Sequence, residues 1–360
     1  MRRRRFLAAT GAALSLSTAG CLGLFETETA TTRAPPLVED RPDAVYVPSH
    51  IEGMEMAGTA TSGRYTFALS YSFPHRFWLI TGDRTRQVEI QDGQTVHLML
   101  TAWDAETDTV IPSSSANVTL TKDGETVVSN KKLWSMLSQN MGVHFGDNVA
   151  LDGDGTYEAE VSFGPVETRL AGALAGSLAD RATPTFTMEF TQAQLDEVSY
   201  ERLSDRQGER DAESPMGMMN EMMPSGQLPP AAQLPGTVRG EARSDDATGD
   251  GHFVVTTLAP PAGVDGEGTY LAVSARTPYN RYPLPFMSLA ATLSRGDETV
   301  YSGDLTDTLH PELGYHYGAV VDAVESGDTL ELAVEAPPQI ARHEGYETAF
   351  VGMGPVSLTL

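Results

Sequence analysis

The 360-residue sequence contains a single cysteine, Cys21. One cysteine excludes an intramolecular disulfide, so hydrophobic cores and bound ions must stabilise this chain. Lysine is nearly as scarce, with only Lys122, Lys131 and Lys132. The 49 acidic residues outnumber the 24 basic ones and give a formal net charge of -25. This charge excludes nucleic acid as a partner and is typical of a protein whose acidic surface is adapted to very high salt; an acidic surface for a specific basic partner is the alternative.

Familiar catalytic motifs are also missing. The sequence has no Gly-x-Ser-x-Gly elbow, no phosphate-binding loop and no His-Glu-x-x-His pair. The Asp-rich stretch 152–155 lacks the downstream ligands of a calcium loop and is interpreted as a turn. We therefore predict that the protein is not an enzyme. An extracellular hydrolase that uses surface carboxylates stays open as a weaker alternative, since no particular pair stands out.

Long hydrophobic runs are absent, and the apolar run that ends at Leu16 is too short to span a bilayer. It follows four arginines (2–5), a pattern typical of an export signal and similar to a twin-arginine signal. The stretch 18–21 resembles a lipobox, so we predict a signal peptide over 1–21 and lipidation of Cys21. A disordered tether over 22–44 would then hold the protein at the extracellular face of the cell membrane.

One stretch of the chain occurs twice, at 119–146 and at 292–318. Each copy starts with a charged turn between apolar runs and ends with a histidine flanked by aromatic residues and glycines. The period is far too long for a solenoid, so we interpret the repeat as two homologous domains. The predicted domains cover 45–205 and 237–360.

Short alternating runs separated by Gly and Asp turns dominate both copies, for example 65–71 and 95–103. This rhythm predicts an all-β fold of two β-sandwich domains. The stretch 131–141, which carries Met136 and Met141, is predicted to be a loop. The stretch 206–236 is rich in Pro, Gly and Met and is predicted to be a flexible linker.

The linker contains a methionine-rich run at 216–223. Thioether sulfur suits Cu(I), so this run could bind that ion. Methionines also form adaptable apolar patches, and with no histidine or cysteine beside the run we favour packing against a neighbouring domain.

Histidines with methionines nearby are the candidate metal ligands of the first copy. The candidates are His97, Met99, Met136, Met141 and His144. Histidine with methionine, and no cysteine, suits copper better than zinc or magnesium. The alternative is that these are ordinary histidines in strands and loops.

Two further motifs carry a resemblance to a known family. The stretch 142–146 reads Gly-x-His-aromatic-Gly, and Pro337-Pro338 precedes Arg342-His343 in a later loop. This combination resembles the periplasmic iron-transport lipoproteins, which include the pathogen-specific membrane antigen group. The resemblance implies immunoglobulin-like sandwiches that dimerise, a His/Met copper site near the dimer interface, and work beside an iron permease in ferrous uptake.

The resemblance divides the implied copper ligands between the two copies. In the first copy His97, His144 and either Met136 or Met141 match the family pattern, while Met99 stands in place of a glutamate. The last histidine is missing there, because Arg169 and Leu170 occupy its place. The second copy keeps His316 and His343 but has Tyr270 instead of the front histidine.

This division implies an intramolecular pseudo-dimer of the protein's own two domains, in which His343 completes one site in the first domain. The sequence thus predicts a lipid-anchored protein that binds copper and assists a membrane permease in iron uptake, with iron as the transported ion. The alternative from a different class is a structural or adhesive surface lipoprotein without metal. Metal content of the purified protein separates the two.

Overall fold

The protein is described by a computed structural model that covers residues 35–217, 222–243 and 250–360. The predicted signal peptide, Cys21 and part of the methionine-rich run lie outside these residues. The described chain is almost entirely β-structure, which confirms the predicted all-β fold. Within the described ranges, no helix combines the length and the apolar composition needed to cross a bilayer.

The N-terminal part of the chain contains the first thirteen strands and a short helix, α1, at Gln192–Glu197. The strands are β1 His50–Glu52, β2 Glu55–Ser62, β3 Tyr65–Ser72, β4 Phe77–Thr81, β5 Arg84–Val88, β6 Val96–Asp104, β7 Ala116–Lys122, β8 Glu125–Ser138, β9 Gly142–Val149, β10 Gly155–Phe163, β11 Arg169–Leu170, β12 Thr185–Phe190 and β13 Tyr200–Arg202. Strands β1 and β13 form a separate two-stranded sheet.

Strand β8 organises the large sheet of this part, whose main path runs β12-β10-β7-β8-β9-β6-β3-β2. The first residues of β8 pair with β7 and the last ones pair with β9, so β8 belongs to both ends of the sheet. The two ends face each other across a hydrophobic core, where the Phe163 ring of β10 lies 5.1 Å from Phe67 of β3 and 5.3 Å from Phe145 of β9. Burial of these rings explains why β8 must turn the sheet into a sandwich.

The C-terminal part contains two sheets, β11-β19-β20-β16-β15-β14 and β18-β17-β21-β23. The strands are β14 Thr237–Arg243, β15 His252–Leu258, β16 Thr269–Arg276, β17 Ser288–Arg295, β18 Glu298–Asp304, β19 Thr306–His310, β20 Gly314–Val321, β21 Thr329–Ala336, β22 Ala341–Arg342 and β23 Val356–Thr359. Apolar side chains of β16, β17 and β21, such as Leu271, Leu293 and Leu332, are fully buried in one core.

Two short strands each pair with a strand from the other part of the chain. Strand β22, from the C-terminal part, pairs in parallel with the end of β8, where Ala341 lies opposite Met136. Strand β11, from the N-terminal part, pairs in parallel with β19, where Arg169 lies opposite Thr308. Each part therefore receives one strand from the other, and both crossings deliver side chains to the inner strands of the receiving sheet.

The stretch 131–141, predicted to be a loop, is strand up to Ser138, so that prediction is wrong for most of its length. Pairing with β7, β9 and β22 holds these residues extended despite their weak local pattern. The segment predicted to be a linker is described at 206–217 and 222–236, where Met223 and Leu228 are buried. Contacts with the sandwiches thus order residues whose composition alone favours flexibility.

Candidate metal centre

His97 is the second residue of the buried strand β6. Its Nδ1 is 2.8 Å from Asn148 Oδ1. The orientation of the Asn148 amide is fixed because its Nδ2 donates to the His75 carbonyl at 2.9 Å. Since an amide oxygen only accepts, Nδ1 carries the proton and Nε2 keeps its lone pair. That Nε2 is buried and has no hydrogen-bond partner.

His144, on the neighbouring strand β9, is held in the same way. Its Nδ1 donates to the Gly142 carbonyl at 3.1 Å, and its buried Nε2 has no partner. Donation of the second ring nitrogen to a fixed acceptor is the usual support of a metal-binding histidine, because it sets the tautomer and the ring orientation.

His75 precedes β4, and His343 follows β22. Strands β4 and β22 are paired at Trp78 and Arg342, which brings the two histidines together. Arg342 fixes the loop from inside the protein, because its fully buried guanidinium donates to the carbonyls of Pro338 and Ala349. The Nε2 atoms of both histidines are buried without a partner.

The four rings form one cluster. The His75 ring centroid lies 4.0 Å from that of His97 and 4.7 Å from that of His343. The His343 centroid lies 5.5 Å from His97 and 5.1 Å from His144. Possible ligand atoms of His75, His97 and His343 all lie within 4.8 Å of one another, a spacing that one metal ion can bridge.

A methionine lies beside these rings, and a glycine leaves space for the contact. Met136 is fully buried and sits opposite His144 in the β8–β9 pairing. A Cβ atom added to Gly146 would lie 2.7 Å from His97 Nε2 and 3.3 Å from Met136 Sδ. The space that Gly146 leaves open is therefore bordered by an imidazole nitrogen and a thioether sulfur.

Burial sets the protonation of the cluster. It lowers the pKa of His97 and His343 well below the ordinary value and lowers the pKa of His144 to about 4. The imidazoles are therefore neutral near pH 7, which is the form that binds metals. Buried imidazole nitrogens that lack a hydrogen-bond partner are costly unless a cation satisfies them.

An acidic group supports the cluster from outside. Glu52 Oε2 lies 3.4 Å from His75 Nδ1, and Glu52 Oε1 lies 3.1 Å from His50 Nε2. Burial opposes ionisation of Glu52, but the hydrogen bonds from His50 and His75 prevail and lower its pKa to about 2. The carboxylate thus stays charged and orients the His75 ring.

The structure brings together four of the predicted ligands, His97, Met136, His144 and His343. Met99 and Met141 instead line a neighbouring cavity. His75 was not predicted as a ligand, since it lies in a loop whose only sequence signal is the aromatic group around it at 73–78.

His316 lies in a second, different cluster. Its Nδ1 donates to the Gly314 carbonyl at 2.9 Å, as in His144, but its Nε2 is bonded to the Tyr270 hydroxyl at 3.0 Å. Arg169 of β11 donates to that hydroxyl at 3.1 Å and to Thr308 Oγ1 at 2.9 Å. The strand pairings place Tyr270 and Thr308 where the first cluster has His97 and Met136. Arg169, opposite Thr308, takes the register position of Ala341, two residues before His343. The phenol thus satisfies His316 Nε2, and the guanidinium holds the phenol in place, whereas the Nε2 of His144 has no such partner.

Residues 232–359 match the model of a domain family of unknown function, DUF7350. A search of the curated proteins gives no match. Among solved structures, the "as isolated" FetP of uropathogenic E. coli strain F11 matches with a TM-score of 0.28 and 14% identity, over 39% of this chain and 96% of that one. A copper-bound variant of FetP from the same strain matches with a TM-score of 0.27 and 14% identity, over 39% and 92%. At these TM-scores neither likeness bears on function.

Proposed function

We propose that the protein is a metal-binding protein that holds copper at the cluster of His75, His97, His144 and His343. The observation that carries the proposal is a cluster of four imidazole rings whose buried Nε2 atoms have no hydrogen-bond partner. The grouped donors of the described residues are imidazoles and one thioether, without a thiolate or a carboxylate among them. This donor set suits copper better than zinc, calcium or magnesium.

The ligands come from both parts of the chain, and this supports an intramolecular pseudo-dimer. His343 reaches the first cluster next to β22, while Arg169 reaches the second cluster on β11. Reciprocal crossing of this kind is what a duplicated domain gives when its two copies pack as a two-fold dimer. On this proposal the second copy has exchanged its metal ligands for Arg169 and Tyr270.

Copper titration of the full chain tests the proposed site. We expect this cluster to hold one equivalent tightly in the wild-type protein. His144→Ala should weaken it by more than about 100-fold, since loss of groups that only orient ligands already costs about 10–100-fold. His316→Ala is the matched control, because His316 occupies the corresponding strand position and is equally buried.

Near-UV circular dichroism establishes that both variants are folded. Equal copper affinity in His144→Ala and His316→Ala would overturn the proposed site. Absence of bound metal in the wild-type protein, whichever metal is supplied, would favour the structural or adhesive alternative.

The biological role that we propose is assistance to iron uptake beside a membrane permease, by a protein that is exported and anchored through a lipid on Cys21. The family resemblance and residues 1–21 support this part. We expect Cys21→Ser to stop precursor processing and to release the protein from the membrane fraction. Membrane partitioning that is unchanged in Cys21→Ser would contradict the lipid anchor.

A further inference from the structure

A cavity of about 100 Å³ lies against the histidine cluster, with His75 and His343 in its wall. Four methionines from separate parts of the chain also line it. They are Met54 between β1 and β2, Met99 of β6, Met141 between β8 and β9, and Met216 of the segment 206–217. A cavity whose wall combines thioethers with two of the clustered histidines differs from an ordinary apolar gap.

The methionines are concentrated here rather than spread through the protein. Six of the 14 methionines in the sequence belong to one packed cluster, which contains Met54, Met56, Met99, Met141, Met216 and Met223 with Ala68, Trp103 and Val110. Among the residues that the structure describes, no leucine or isoleucine belongs to this cluster, whereas the large core contains many leucines. Apolar packing alone does not require such a replacement of leucine by methionine.

The two carboxylates in the wall of the cavity already have partners. Glu52 bonds to His50 and His75, and Glu344 accepts from the Ser49 hydroxyl at 2.9 Å. Besides the imidazoles of His75 and His343, which belong to the histidine cluster, the four thioethers are the soft donors that the wall offers to a ligand. Thioether sulfur is a soft ligand that selects Cu(I) over divalent, oxygen-seeking cations.

The geometry points to a second copper site, a thioether site for Cu(I) formed by Met54, Met99, Met141 and Met216 beside the histidine cluster. This inference rests on the proposed function only in taking copper as the ion. It concerns binding of a monovalent soft cation and requires no electron transfer. Its position places such an ion next to His75 and His343, and the segment that carries Met216 closes the site.

The inference is tested by an anaerobic titration of the full-length protein with Cu(I) in the presence of a competing Cu(I) chelator. We expect two equivalents in the wild-type protein. Met54→Leu/Met216→Leu, which conserves volume, should weaken one of them at least tenfold and leave the other unchanged. Met56→Leu is the matched control, because Met56 packs on the same cluster but does not line the cavity. Ag(I), a soft ion without a divalent state in water, should show the same loss.

The outcomes separate this inference from the proposed function. Loss of one equivalent in His144→Ala, with both retained in Met54→Leu/Met216→Leu, leaves the histidine site standing and overturns the thioether site. The reverse pattern supports the thioether site alone. If the double variant does not fold, Met216→Leu alone is measured. Cu(I) and Ag(I) affinities of that variant equal to those of the wild-type protein would overturn the inference.

Discussion

Gly146→Ala is expected to lower copper affinity by more than about 100-fold while the protein stays folded. The added methyl group would lie 2.7 Å from His97 Nε2, 3.1 Å from the Leu98 carbonyl oxygen and 3.3 Å from Met136 Sδ. It would fill the space that the two ligand atoms border, so His97 must move out of position. Displacement of a ligand costs at least as much as the loss of a group that orients it, about 10–100-fold. Overpacking of this kind destabilises the fold by about 1–3 kcal/mol.

The matched control is Gly352→Ala. No heavy atom lies within 4 Å of a Cβ added there, and neither Gly146 nor Gly352 has a positive φ. Both substitutions therefore change the entropy of the unfolded chain alike. Copper titration compares the metal affinities of the two variants, and thermal unfolding compares their stabilities. A Gly146→Ala protein that binds copper within about threefold of Gly352→Ala would show that the metal does not lie between His97 and Met136.

Much of the candidate site could be predicted because its inner strands have a clear pattern. The alternating run of β6 and the Gly-x-His-aromatic-Gly motif of β9 place His97 and His144 on adjacent buried strands. The reach of His343 across the chain follows from the way in which the resemblance divides the ligands between the copies. No local propensity contains that information.

The features that were predicted wrongly or missed depend on contacts between residues that are distant in sequence. Residues 131–138 lack a strong strand pattern of their own, yet three neighbouring strands extend them and position Met136. His75 could not be selected because its partners, His97 and His343, are brought to it by folding alone. The sequence left two interpretations of the methionine-rich run 216–223, Cu(I) binding and packing against a neighbouring domain. Met216 and Met223 pack in a cluster whose other members lie over 70 residues away in sequence.

Arg169→His/Tyr270→His is expected to create a second copper site at His316. His316 already has the geometry of His144, since its Nδ1 donates to the carbonyl two residues before it and burial lowers its pKa to about 3. The guanidinium of Arg169 now repels a cation there, and the Tyr270 hydroxyl occupies His316 Nε2. Imidazoles at both positions would remove the charge and supply two further neutral donors.

In a copper titration, the number of equivalents bound at histidine sites should increase from one in the wild-type protein to two in the double variant. The new equivalent should be at least about tenfold weaker than the first, because Thr308 stands where Met136 lies in the first cluster and one ligand is therefore missing. Arg169→Ala/Tyr270→Ala is the matched control, since it also removes the guanidinium and the phenol but adds no ligand. If the histidine pair binds no more copper than the alanine pair, the two clusters do not correspond, and reciprocal exchange of β11 and β22 would have to be explained without a duplicated metal site.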